Sequence, residues 1–280
     1  MAPLPAGVPP PAIPGGLMET LPGIELPRLY EILTGFFFAS LRIGAFLLSS
    51  PVFGGRFVSL PVRIMATIVL TLPVMAMIDL PPPETVASLQ AVPMMVQEMA
   101  IGLSAGLVLS ILFGAASVAG DRIAATAGLG FAAQIDPSAG GQTPIVAQIF
   151  GFGLTMVFLA LDGHLAALDI VLNSYRTLPP GADFDPGRLL GAGIEAGGRM
   201  FLLGMQIMMP VVSALILINV TIGVITRSAP QLNVFSFGFP VTMTATLILL
   251  FLTAPGTMGA FEGLVADSLL ILSEMLDGGR

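Results

Sequence analysis

The chain has 280 residues, of which 55% are hydrophobic and 10% are charged, and its mean hydropathy is +0.95. This balance lies far outside that of soluble globular domains and predicts an integral membrane protein. Seventeen acidic residues against ten arginines give a net charge of −7, which argues against binding to nucleic acid or to an anionic lipid surface. Because there is no cysteine and only one histidine, His164, a cysteine site or a histidine-cluster metal site is excluded within one chain.

The first segment in chain order, residues 1–27, is rich in proline, glycine and alanine and lacks the basic start and apolar core of a signal peptide. Its prolines remove the hydrogen bonds of helix and sheet, so we expect a disordered lead-in. Residues 28–280 are expected to form a single helical membrane domain.

Six segments approach the roughly 20 apolar residues that a helix needs to cross about 30 Å of hydrocarbon. They are residues 29–50, 62–78, 99–120, 144–172, 200–226 and a stretch within 228–261. We expect breaks or bends at Pro73, Pro240 and Pro255. Residues 261–276 read as a separate acidic helix with one apolar face. The apolar runs lack the alternation of a membrane barrel, so the prediction is an all-α membrane protein with about six long apolar helices.

Arginine provides little information on orientation, because the six segments leave five arginines on one side and four on the other. Arg42 lies within the first segment. In mid-membrane it would cost about 2.5 to 3.5 kcal/mol unless it is paired or faces a wet interior.

Small residues recur at intervals of four along the third segment, where Gly102, Gly106, Ser110 and Gly114 follow Glu98. Such a stripe lets another helix approach closely. We favour a packing seam within the chain over one between subunits, although the two are physically alike. Glu98 is expected at the membrane interface.

A polar stripe lies on the fourth segment, where Asp162, His164, Asp169 and Arg176 share a helical side. One hypothesis is a proton relay of an ion-coupled transporter, since ionisable groups within a membrane are functional candidates. The favoured interpretation is that the helix leaves the apolar zone here, with Asp169 and Arg176 paired to each other or to a partner. The carboxylates are too scattered for a general acid and base, so we expect no enzyme and no cofactor.

Residues 128–144 read GLGFAAQIDPSAGGQTP and interrupt the apolar sequence. Gly128 and Gly130 loosen a helix, and Asp136-Pro137 is typical of a turn. Bulky apolar groups stand between the glycines, namely Leu129, Phe131 and Ile135. Irregular backbone at membrane depth must be buried in protein or line a cavity, but an ordinary surface loop fits these residues equally well.

Several motifs in order resemble the FliR/SctT family of type III secretion export-apparatus proteins, over about residues 29–276. The motifs are RIGAFLLSSPVFGGRFVSLPVRI from Arg42, EMAIGLSAGL from Glu98, GDRIAATAGLGFAAQIDPSAGGQTP from Gly120, FLALDGHLAAL from Phe158, LPPG from Leu178 and RSAPQLNVFSFGFP from Arg227. The last motif is more similar to the flagellar branch than to the injectisome branch, which stays the alternative.

This resemblance implies a channel-forming subunit of an export gate in the bacterial inner membrane and flagellar basal body. Its helices would form tilted hairpins with FliP-like and FliQ-like subunits, in membrane lipid, beside FlhB-like and FlhA-like proteins, while unfolded flagellar proteins pass through. The family's plug loop corresponds to about residues 127–143. We assign helix-packing or subunit-interface roles to Arg42, Glu98, Gly102, Gly106, Gly114, Pro230, Gln231, Asn233, Phe235, Gly238 and Pro240.

Overall fold

The computed structural model of the protein describes residues 26–76, 88–89, 91–129, 144–182, 185–229 and 237–277. Within these ranges the chain forms helices and no strand, so the all-α prediction is confirmed. In chain order the helices are α1 (Leu26–Ser49), α2 (Leu60–Met75), α3 (Ala91–Thr126), α4 (Ile145–Ala160), α5 (Gly163–Thr177), α6 (Pro186–Ser228) and α7 (Phe239–Leu276). The predicted disorder of residues 1–27 concerns a segment that lies almost wholly outside the described residues.

Four of these helices, α1, α3, α6 and α7, are long and apolar enough to cross a membrane. The pair α4 and α5 is bent by 67° and would make a fifth crossing if it is counted as one broken span. The expected count of six long apolar helices is therefore not confirmed for the described part of the chain. Two predicted segments account for the difference, because α2 has only 16 residues and the fourth segment is divided at the bend.

The prolines interrupt the helices less than their chemistry predicts. Pro73 and Pro255 lie inside α2 and α7, and Pro240 lies in the first turn of α7. The break expected at Pro255 is wrong, since α7 continues to Leu276 and contains the predicted acidic helix as its last part. The buried face of that part explains the continuation, because its apolar side chains pack into the core; they include Phe261, Leu264, Val265 and Leu272.

Helix α3 is the centre of the fold and packs against α1, α4, α6 and α7. Its buried face is built mainly from small and medium residues, among them Ile101, Ala105, Leu109, Leu112, Ala116 and Ala119. Small side chains bring helix axes close together, so four neighbours fit around one helix.

The glycine stripe of α3 lies against other helices of the same chain. A Cβ added at Gly102 would collide with the carbonyl oxygen of Arg42 on α1, and one added at Gly106 would collide with Ser49. Farther along α3, a Cβ added at Gly114 would lie 3.0 Å from the sulfur of Met200 on α6. The stripe thus meets α1 in its first half and α6 in its second.

Helices α6 and α7 are poorly covered by the rest of the described chain. Only 22% of the most apolar stretch of α6 and 11% of that of α7 is buried. Large apolar side chains stand on the open faces, for example Leu217, Leu247 and Phe251, which are 69%, 70% and 80% exposed. A monomer in water rarely shows so large an apolar surface, so lipid or other protein covers these faces.

The close approach at Gly102 gives a stability prediction. Gly102→Ala places a methyl group on the backbone of α1, and overpacking of this kind costs about 1 to 3 kcal/mol. Thermal unfolding of the purified protein in detergent should show a lower midpoint. The control is Gly151→Ala on α4, where an added Cβ meets nothing within 4 Å and the midpoint should hold or rise. Equal midpoints for the two variants would contradict the packing argument.

Candidate functional site

A buried ion pair joins α1 to α3. The Arg42 guanidinium donates from Nε to Glu98 Oε2 and from Nη2 to Glu98 Oε1, both over 2.8 Å. Both side chains are 0% exposed. The two parallel bonds form a bidentate pair, which is the strongest geometry for an arginine and a carboxylate.

Helix α5 and the residues after it complete the shell around Arg42. Nη1 donates to Ser174 Oγ over 2.9 Å, and Nη2 also donates to the carbonyl oxygen of Leu178 over 2.8 Å. Four of the five N–H groups of the guanidinium are thereby bonded. Its central carbon stands 4.1 Å from the ring centroid of Tyr175, a cation–π contact, and the Tyr175 hydroxyl donates to the carbonyl oxygen of Ala39 over 2.6 Å.

Arg42 is thus paired and does not face water. The Glu98 carboxylate is likewise enclosed by protein. Sequence reasoning missed Ser174, Tyr175 and Leu178, which lie more than 130 positions from Arg42 in the chain.

The end of α3 is fixed by a left-handed glycine. Gly128 has φ +78°, and the Leu129 N–H donates to the Ala124 carbonyl oxygen over 3.0 Å while the Gly128 N–H donates to that of Ala125 over 3.1 Å. This pattern is a Schellman motif, which requires a residue without a Cβ at the left-handed position. Gly128 therefore ends the helix at the start of the glycine-rich segment.

A cavity of about 290 Å³ opens between the end of α3, the C-terminal part of α6 and the start of α7. The end of α3 lines one side, α6 contributes Asn219, and the start of α7 contributes Gly238 and Phe239. Asn219 Nδ2 donates to the carbonyl oxygen of Thr126 over 3.0 Å, which ties α6 to the end of α3. The described residues just before the segment 130–143 and those just after the segment 230–236 therefore lie at the same cavity.

Several predicted site residues lie outside the described residues. They are Gly130, Phe131, Ile135, Asp136 and Pro137 of the expected plug, and Pro230, Gln231, Asn233 and Phe235 of the last motif. Of the others, Gly238 is buried at the cavity and Pro240 is exposed.

The polar stripe of α5 is not held together by hydrogen bonds or ion pairs between its members. Asp162 stands at the bend before α5 with φ +54° and is exposed. His164 is partly buried, and its Nδ1 has no hydrogen-bond partner. Asp169 and Arg176 are exposed and form no ion pair with each other, so that part of the expectation is wrong. Among the described residues no group of three metal-binding side chains comes together.

Removal of one charge from the pair should destabilise the protein strongly. Arg42→Leu leaves Glu98 buried without a counter-charge, which costs about 3 to 5 kcal/mol. The matched variant is the double change Arg42→Leu with Glu98→Leu, which leaves no buried charge and should recover much of the loss. Unfolding midpoints in detergent measure both. A double variant as unstable as the single one would show that the charge itself is not the cause.

The two tyrosines of the chain allow a matched test of the hydroxyl at this site. Tyr175→Phe keeps the ring under Arg42 but removes the bond to the Ala39 carbonyl oxygen, so we expect a loss of about 1 kcal/mol or more in unfolding free energy. Tyr30→Phe removes a hydroxyl from a side chain that is 45% exposed and should have no measurable effect. Equal stabilities of the two variants would argue against the Tyr175 bond.

Comparison with known proteins agrees with the resemblance of the motifs. The family model described as bacterial export proteins, family 1, matches residues 33–268. Flagellar biosynthetic protein FliR of Pectobacterium carotovorum is 32% identical over 86% of this chain and 92% of its own length. The proteins of that name from Escherichia coli K12 and Bacillus subtilis 168 are 28% and 27% identical, over 86% and 79% of this chain and 92% and 86% of their own lengths. The chain therefore belongs to family 1 of the bacterial export proteins, the FliR/SctT family.

Proposed function

We propose that this chain is a structural, channel-forming subunit of the flagellar type III protein export gate. It lies in the bacterial inner membrane at the basal body, where unfolded flagellar proteins cross, and it catalyses no reaction. Family membership and the shared name of its relatives, flagellar biosynthetic protein FliR, support a role in flagellar export.

The observation that carries the proposal is the contrast between the two sides of the fold. Helix α3 is surrounded by helices of its own chain, whereas α6 and α7 leave most of their apolar stretches uncovered. A subunit that is completed by neighbouring helices needs such an open side. FliP-like and FliQ-like subunits are the proposed neighbours, with FlhB-like and FlhA-like proteins as separate components.

We assign the seal of the channel to residues 127–143. Phe131 and Ile135 would form the stopper, with Gly130 as a flexible flank and Asp136-Pro137 as the turn that returns the chain. Gly128, held by the Schellman motif at the end of α3, would give the segment a fixed starting point. The cavity beside Gly128 supports this assignment, since the segment starts beside an opening between α3, α6 and α7. Small and flexible residues suit a conduit for many unfolded sequences, because a rigid plug would clamp the substrate or leak.

The seal can be tested by ion leakage. The double change Phe131→Ala with Ile135→Ala removes the proposed stopper, so cells that carry it should leak ions across the inner membrane in the absence of substrate. Phe131→Leu keeps apolar bulk at the same position and is the matched control, with leakage near that of the native protein. Co-purification with the partner subunits checks assembly. A correctly assembled double variant without leakage would contradict the sealing role.

The rival functions predict different outcomes in cells. An ion-coupled transporter requires Asp162, His164 and Asp169, so alanine at these positions would abolish transport while assembly survives; the export-gate proposal expects flagella to form. Deletion of the gene should remove filaments and leave a basal body without export. Normal swimming of the deletion strain would favour the injectisome alternative.

A further inference from the structure

The loop between α1 and α2, residues 50–59, carries two phenylalanines in opposite environments. Phe53 is partly buried, and its ring centroid lies 6.4 Å from that of Phe46 in the core. Phe57, four residues later, is 100% exposed. The loop therefore supplies one aromatic ring to the core and presents the other to its surroundings.

The exposure of Phe57 does not come from a loosely held loop. Nη2 of Arg63, on α2, lies 3.0, 2.7 and 2.9 Å from the carbonyl oxygens of Gly54, Gly55 and Val58, which share its two N–H groups. The Gly54 N–H also donates to the carbonyl oxygen of Ser50 over 2.8 Å. Since one guanidinium binds three carbonyls, the backbone on both sides of Phe57 is fixed before anything docks on it, which lowers the entropic cost of docking.

The length and composition of the neighbouring helices favour a membrane surface as the setting of this loop. Helix α1 has 24 residues and is about 36 Å long, enough to cross about 30 Å of hydrocarbon, and the loop follows it directly. On the other side, α2 shows a continuous exposed apolar face at helical spacing, formed by Val62, Met65, Val69 and Leu72, each more than half exposed. A loop between two apolar helices, one of them long enough to span, is suited to the boundary between hydrocarbon and water.

The local charge differs from that of the whole chain. The chain carries a net charge of −7, yet residues 43–78 contain no aspartate or glutamate. Arg56 and Arg63 are the charged residues of that stretch; Arg63 is engaged within the loop, and Arg56, beside Phe57, is exposed. An exposed arginine next to an exposed aromatic ring matches a surface where acyl chains and phosphate groups lie within a few ångströms of each other.

We propose that the α1–α2 loop is a phospholipid anchor, in which Phe57 enters the acyl boundary and Arg56 binds a headgroup phosphate. Residues that anchor in this way lie about 5 to 10 Å below the headgroup surface. The anchor is independent of the export function, because it depends only on the geometry of α1, α2 and their loop.

The absence of tryptophan from the chain allows a direct test. The Phe57→Trp variant of the full-length protein, purified with its partner subunits and placed in vesicles of phosphatidylethanolamine and phosphatidylglycerol, carries a single indole reporter in this chain. Its emission, taken as the difference from the native complex, should shift to the blue. Lipids brominated near the top of the acyl chain should quench it more than lipids brominated near the chain end, and aqueous acrylamide should quench it weakly.

The matched control is Phe53→Trp in the same loop, whose reporter is shielded by the core and should respond weakly to every quencher. Strong acrylamide quenching of the Phe57→Trp reporter without lipid quenching would overturn the proposal, since the ring would then stand in water. Shielding from both quenchers would also overturn it, because a protein subunit would then cover the loop.

A second experiment tests the contact between Arg56 and the headgroup phosphate. Adding Arg56→Gln to the Phe57→Trp variant should reduce quenching by the shallow brominated lipid, whereas Arg122→Gln, at an exposed arginine on α3, should leave it unchanged. Equal quenching in the presence and absence of Arg56 would remove the phosphate from the proposal.

Discussion

The fold depends on the buried pair of Arg42 and Glu98. A buried guanidinium without a counter-charge is unfavourable, so Arg42 can be buried in α1 because α3 supplies the carboxylate. The pair in turn requires the two backbones to be close. Gly102 meets this requirement one turn after Glu98, because it has no side chain to separate α3 from the backbone at Arg42. The ion pair and the backbone contact thus lie one turn apart on the same α1–α3 interface. Each keeps the two helices at the distance that the other contact requires.

Helix α3 connects this pair to the cavity at the opposite end of the fold. From Glu98 to Gly128 there are 30 residues, or about 45 Å at the rise of an α-helix. At the far end, the left-handed Gly128 stops the helix and the Asn219 side chain holds the Thr126 carbonyl oxygen. One rigid element is therefore fixed at both ends by polar contacts, and the segment 130–143 starts from a point whose position is set by α3 and α6.

The sequence was sufficient for the helical class and for the need of Arg42 to find a partner, because both follow from hydropathy and from the cost of a buried charge. The sequence was insufficient to predict the other residues that surround Arg42. Ser174, Tyr175 and Leu178 act through contacts with residues more than 130 positions away, and no local pattern marks such a contact. The break predicted at Pro255 failed for a related reason. Proline chemistry is local, whereas the burial of Phe261 and Leu264 that continues α7 is tertiary.

The surroundings of the glycines differ between the buried α1–α3 interface and the exposed face of α7. At Gly102 and Gly106 an added Cβ would meet the backbone of α1, whereas at Gly256, Gly259 and Gly263 on α7 it would meet nothing within 4 Å. Small residues in an apolar helix permit close helix contact in both cases, but the contact is made within the chain only in the first. The interior seam needs nothing from outside, since its charge and its backbone contacts are complete. The exposed apolar stretches of α6 and α7, in contrast, are covered only by what surrounds the chain. One side of the chain is therefore complete in itself and the other is not, which is the arrangement that a subunit of a larger membrane assembly requires.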